Sequence, residues 1–219
     1  MSRPRIAAVT IGQTPRPDLL EPLLARAGTD VEVIEIGALD GLTPEQLPHR
    51  ERGPSPLTTR LRDGARVTLD EADLAPLVQH AIDRADDSGA DVTLLLCAGG
   101  FLGATARGTL VRPFDAAVAT LRRLGARRVT VIVPFEGQAE PSRRKWAAAG
   151  VDAAPLVGDP ATVDVHWIAD CHAIVLDYVG HPGKAVDDLR ARTEIPVIDL
   201  GEIGAEAAVA ALGAGLVAG

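Results

Sequence analysis

The chain has 219 residues, a formal net charge of −8, 47% hydrophobic residues and only 3% aromatics. That balance excludes a disordered chain and leaves Leu, Val, Ile and Ala to fill a sizeable core. The acidic charge without a basic stripe argues against a nucleic-acid partner, and no apolar run nears the ~20 residues of a membrane helix.

Arg5 to Gly12 reads as a first strand, and Met-Ser-Arg-Pro-Arg leads straight into it without a signal-peptide apolar region. The loop Gln13-Thr-Pro-Arg-Pro-Asp18 follows, with Pro17 suited to the first turn of a helix that carries Leu19, Leu20, Leu23 and Leu24 at helical spacing. Asp30 to Gly37 is a second strand. Residues 38–53 form a polar connection, and Pro54 to Gly64 leads to Arg66-Val-Thr-Leu69, an edge strand or hairpin arm. Asp70 to Ser88 is amphipathic, with Leu74, Leu77, Val78, Ala81 and Ile82 on one face.

Asp91-Val-Thr-Leu-Leu-Leu-Cys-Ala-Gly-Gly-Phe101 is the stretch around which the rest is organised. An apolar run without alternation reads as a strand buried on both faces, in the middle of a helix-covered parallel sheet. Ligands in such sheets bind beyond the carboxyl ends of the strands, where Cys97 stands. Ala98, Gly99 and Gly100 offer bare backbone for close approach and an anion-binding nest. The alternative is a buried Cys acting as a small hydrophobe. Gln13, Thr14 and Arg16, after the first strand, belong to the same cleft by this rule, as does Thr10 at its end. Thr59 and Arg60, with Thr58 and Arg62, are hydroxyl and guanidinium groups suited to a carboxylate or phosphate.

From Phe101 to Arg112 the chain leaves that strand, and Phe114 to Leu124 is a helix closed by Gly125. Arg128 to Phe135 is a buried strand, followed by a loop with Glu136 and Gln138 and a helix through Trp146. Asp152 to Gly158 is a strand, Val163 to Asp170 a helix, and Ala173 to Gly180 a strand ending in Asp177 and Tyr178, with His181 beyond. Pro182 to Thr193 is a helix, Ile195 to Gly201 the last strand and Ala205 to Val217 an Ala-rich closing helix.

A weak repeat relates the halves. Val9-Thr-Ile-Gly-Gln resembles Val133-Pro-Phe-Glu-Gly-Gln, and Leu94-Leu-Leu-Cys-Ala-Gly resembles Val175-Leu-Asp-Tyr-Val-Gly. The expected fold is α/β, with two pseudo-symmetric halves, each a short parallel sheet flanked by helices, and the cleft between them. The halves are residues 1–112, closed by a helix over 204–219, and residues 113–203. Cys97 and the Asp177/Tyr178 pair then face each other across the cleft, with Glu136, Gln138 and His181 on the second wall.

Thr10-Ile-Gly-Gln-Thr-Pro-Arg-Pro-Asp18, Thr59-Arg-Leu-Arg-Asp-Gly64, Leu94-Leu-Leu-Cys-Ala-Gly-Gly-Phe101 and Val175-Leu-Asp-Tyr-Val-Gly180 resemble the AroM family, within the aspartate/glutamate/hydantoin racemase superfamily. The resemblance covers nearly the whole chain. Racemases of that superfamily place one cysteine at a strand end in each half, flanking the α-carbon of a small acid. Cys97 matches the first cysteine, and Tyr178 stands at the second. Cys171 lies at the entrance of its strand, ~20 Å from the cleft end at ~3.3 Å per residue, and reads as structural.

The resemblance implies a cofactor-independent racemase or isomerase acting on a small carboxylate-bearing molecule. Its rivals are a single-thiol decarboxylase or lyase and a non-catalytic metabolite-binding protein. The catalytic pair is Cys97 and Tyr178. Thiolate chemistry asks for a pKa below the ~8.5 of free Cys, which backbone N–H groups, a helix N-terminus or Arg16 supply. No HxxxH or CxxC spacing predicts a metal site, and no cofactor is expected. Two cysteines without CxxC predict a cytoplasmic protein; assembly into a homo-oligomer is left open.

Overall fold

A computed structural model describes residues 3–48, 53–168 and 170–218. The expected connection over 38–53 and helix over 163–170 therefore fall partly outside the described residues.

Two four-stranded sheets, all parallel, form the frame. The first has β1 (Arg5–Thr10), β2 (Glu32–Gly37), β5 (Val92–Leu96) and β6 (Thr109–Val111), in the order β2-β1-β5-β6. The second has β7 (Arg128–Val133), β8 (Asp152–Val157), β9 (Ala173–Leu176) and β10 (Val197–Asp199), in the order β10-β9-β7-β8. Read from the other edge, the second order matches the first, so β7 stands for β1 and β9 for β5. The fold is α/β, as the sequence predicts.

Side chains alternate between cores with the two-residue period of a strand. Val92, Leu94 and Leu96 of β5 join Val131, Val133 and Val175 in one core shared by the halves. Leu95 and Cys97 face a second core under helix α2 (Glu71–Asp87). The shared core also takes Trp146 from α4 (Ala139–Ala148) and Phe114 from α3 (Pro113–Leu124), whose rings meet edge to face at 4.7 Å.

Local signals account for most helix ends. Pro17 opens α1 (Pro17–Ala27) and Pro113 opens α3, which Gly125 closes in the left-handed region at φ 65°. Asp70 caps α2 by accepting the Ala72 N–H at 3.0 Å. Between β8 and β9 the expected helix is a three-residue 3₁₀ turn, Val165–Trp167, because Val163 and Ile168 on either side anchor into a third core under β9. The short strand β6 is absent from the sequence reading; three residues carry no legible period. The last strand is shorter than expected, since Pro196 has no N–H to give a ladder. The terminal helix α6 (Leu200–Ala218) starts directly at its end and packs on α1, α3 and β5. Helix α5 (Gly183–Ala191) links β9 to β10.

The hairpin β3 (Pro56–Arg60) and β4 (Arg66–Asp70) is antiparallel and belongs to neither large sheet. It leans from the first half onto the second: Gln138 Nε2 donates to the Pro56 carbonyl at 3.1 Å. A Cβ on Gly12 would lie 2.3 Å from Thr59 Oγ1, so only glycine lets β3 come this close to the end of β1. No described helix is long and apolar enough to cross a membrane.

Candidate active site

The carboxyl ends of β1, β5 and β9 and the hairpin β3 enclose two cavities. The inner one, about 40 Å³, is lined by Thr10, Arg16, Thr59, Cys97, Ala98, Gln138, Asp177 and Tyr178, with Leu57 and a few apolar neighbours. It has room for a group the size of a carboxylate. The outer one, about 460 Å³, shares Leu57, Ala98, Gln138 and Asp177 with it and extends past Gly99, Gly100, Phe114 and Lys145.

Backbone pairing fixes how Cys97 and Tyr178 are related. The Arg5 carbonyl accepts the Asp91 N–H at 2.9 Å, and the Arg128 carbonyl accepts the His172 N–H at 2.8 Å. Asp91 to Cys97 and His172 to Tyr178 span equal lengths of chain, so the phenol occupies the register position of the thiol in the other half.

Cys97 is buried, and its sulfur accepts the Gly99 N–H at 3.2 Å. Burial pushes the thiol up to about 12; the Gly99 N–H and Lys145 oppose this, while Glu71 and Asp177 reinforce it. The expected lowering is not found: one N–H does not offset removal from water, and burial keeps the proton on the Cys97 thiol. The N–H of Phe101 goes to Glu71 Oε1 at 2.7 Å. Among the described residues, the N–H groups of Ala98 and Gly100 meet no acceptor.

Arg16 lines the inner cavity, yet its Nε and Nη2 grip Asp18 at 2.9 and 2.7 Å, with Arg60 3.7 Å from the same carboxylate. Burial alone would lower the guanidinium's pKa; the Asp18 pairing outweighs it and raises the value. Two arginines thus share one aspartate.

Several expected site residues line neither cavity. Gln13 spends its amide on the Leu39 and Leu42 carbonyls, at 3.0 and 2.8 Å, and its oxygen on the Arg62 N–H at 2.9 Å. It fastens the hairpin to the turn after β2. The Thr14 hydroxyl donates to the Asp40 carboxylate. Arg60 is held by Asp18, and Glu136 is exposed on a short 3₁₀ turn. His181 stacks edge to face on Tyr178 at 5.4 Å, behind the cavity wall, and burial lowers its imidazole to about 4. Asp177 lines both cavities, but Lys145, Ser142 and Trp146 surround its carboxylate at 2.6, 2.6 and 3.1 Å. Cys171, partly exposed, precedes β9 at the far end of that strand. Among the described residues, no group of three or more His, Cys, Asp or Glu is placed to hold a metal ion.

Residues 6–208 fit the family described as AroM protein. The chain belongs to the AroM family. No curated protein matches it. Among solved structures, it is similar to allantoin racemase from Klebsiella pneumoniae, at TM-score 0.65 and 18% identity, covering 97% of this chain and 89% of that one. It is also similar to the maleate isomerase Iso from Pseudomonas putida S16, at TM-score 0.62 and 17% identity over 96% and 93% of the two chains. Unliganded arylmalonate decarboxylase aligns at TM-score 0.59 and 18% identity over 97% and 94%. At these identities the likeness is one of fold.

In this AroM family member, sequence reasoning missed Lys145. Its Nζ donates to Asp177 Oδ1 at 2.6 Å and to the Ala98 carbonyl at 2.7 Å, tying the Cys97 turn to the opposite half. Its ammonium lies over aromatic faces, with Nζ 5.0 Å from the Phe114 ring centre. The available signal was spacing: Ser142, Lys145 and Trp146 sit three and four apart on the helix that follows β7.

Proposed function

We propose that this protein is a cofactor-independent enzyme of proton transfer at the carbon next to a carboxylate, with Cys97 as the proton donor. The observation that supports this most is the neutral, buried Cys97 thiol on the wall of a carboxylate-sized cavity. A neutral thiol is a poor base for opening a C–H bond. It is well suited to quench a carbanion that forms by other means. In a decarboxylation the C–C bond to one carboxyl breaks, its electron pair stays on carbon, and carbon dioxide leaves. The carbanion then takes the Cys97 proton, and water restores the thiol. Thr10, Thr59, Arg16 and the Ala98 N–H, all on the wall of the inner cavity, hold the remaining carboxylate. The names of the similar structures, two isomerising enzymes and a decarboxylase, fit this range of chemistry.

A racemase-like reading keeps one observation on its side, the register match of Tyr178 with Cys97. There the phenol serves the second face as a proton donor or as an anchor for a developing enolate. Product and variants separate the two. Inversion of a stereocentre, lost in both Tyr178→Phe and Cys97→Ala, supports the pair. A decarboxylated product formed at full rate by Tyr178→Phe and lost in Cys97→Ala supports the single thiol. A non-catalytic binding protein turns over nothing with any acid.

A further inference from the structure

The inner cavity suffices for a carboxylate, so the outer chamber of about 460 Å³ needs an explanation of its own. Its size falls in the range of small-molecule sites. Its walls are mainly apolar: Leu57, Phe114, Pro141, Ala148 and Ala149, with Leu102, 80% exposed, at the mouth. Leu102 carries this apolar lining out to the surface. Its charged groups are mostly committed. Arg144 reaches Glu140 at 3.6 Å and the Pro54 carbonyl at 3.3 Å, and Glu71 takes the Phe101 N–H.

Lys145 differs. An ammonium has three donors, and two are spent on Asp177 and Ala98. Lys145 itself lines the outer chamber and both of its partners line both cavities, so its ammonium stands on the outer side of their junction.

We infer that the substrate is an acid with a bulky apolar substituent, which fills the outer chamber, and with a second oxygen near the carboxylate, which Lys145 binds at the junction. This rests on the inner cavity being the carboxylate site. Lys145 acts as a specificity-determining and positioning residue and takes no part in the proton transfer.

The test is a binding series read by isothermal titration calorimetry and thermal shift, using lactate, 2-hydroxybutyrate, 2-hydroxyhexanoate and 3-phenyllactate, with hexanoate as the analogue lacking the hydroxyl. The expected result is a dissociation constant that falls about fourfold for each added methylene that becomes buried. Ala148→Trp, at an exposed helix position, flattens that slope. Lys145→Met keeps the slope but erases the advantage of 2-hydroxyhexanoate over hexanoate. Lys145→Arg, which keeps the charge, restores part of it. Lactate binding as tightly as 2-hydroxyhexanoate overturns the inference and leaves the carboxylate reading standing. A slope unchanged in Ala148→Trp also overturns it. Binding of none of the acids overturns the carboxylate reading itself.

Discussion

At the scale of single residues, the proposed chemistry turns on the buried thiol. Cys97 is 6% exposed and protonated at neutral pH, whereas Cys171 is partly exposed at the far end of β9. The thiolate is the nucleophile in alkylation, so iodoacetamide at pH 8 is expected to label Cys171 faster than Cys97 in ligand-free protein, read by peptide mass spectrometry. Faster labelling of Cys97 contradicts the neutral-thiol assignment. The sequence places Cys97 at the right strand end but cannot show its protonation, which depends on tertiary burial. Two further buried groups set the response to acid. Burial lowers His181 from about 6.5 to about 4, with Asp159 opposing. Its contribution to stability is present above pH 6.5 and is lost as pH falls through 4. Burial raises Asp199 to about 6, against hydrogen bonds from the Glu202 and Gly201 backbone. Its contribution is present below about pH 4 and is lost as pH rises through 6. The two oppose each other between pH 4 and 6. Urea midpoints across that range are therefore expected to fall less steeply on acidification in His181→Gln and more steeply in Asp199→Asn than in wild type. Parallel curves for all three contradict both assignments.

At the scale of elements, α4 and β9 are joined through Asp177. Its carboxylate is buried and meets a lysine, a hydroxyl and an indole N–H. Removing one partner of a buried pair leaves the other uncompensated, at about 3–5 kcal/mol. Asp177→Ala is expected to lose that much in urea denaturation. Lys145→Met is expected to lose less, because Ser142 and Trp146 still satisfy the carboxylate. Equal small losses contradict the network. The strands and most helices were legible because their apolar periods are strong. Gln13 and Thr14 were legible as strand-end residues, but not their use as fasteners, which depends on the turn after β2 and on Arg62 in the hairpin. Lys145 escaped because attention to strand ends overlooks the inner face of the next helix.

At the scale of the whole molecule, two halves with the same strand order meet in one core and enclose the two cavities. The repeat in the sequence predicts this, and the equal register of Cys97 and Tyr178 follows from it. The placement of the β3–β4 hairpin over the cavities was not legible. It is set by the close approach of Thr59 to Gly12 and by Gln138 reaching Pro56, contacts between residues distant in the chain. The halves differ at the cavity wall, with a thiol in one and a phenol in the other, and that asymmetry favours proton delivery to one face.

The most direct test is solvent-deuterium incorporation. Wild type and Cys97→Ala are incubated in D₂O with a panel of 2-hydroxy acids, amino acids and 2-substituted dicarboxylates, and the carbon next to the carboxylate is followed by proton NMR. Deuterium is expected in a single configuration at that carbon for at least one acid with wild type, with a loss of at least about 10²-fold in rate for Cys97→Ala. Equal incorporation by both proteins, or none by wild type with any acid, contradicts this.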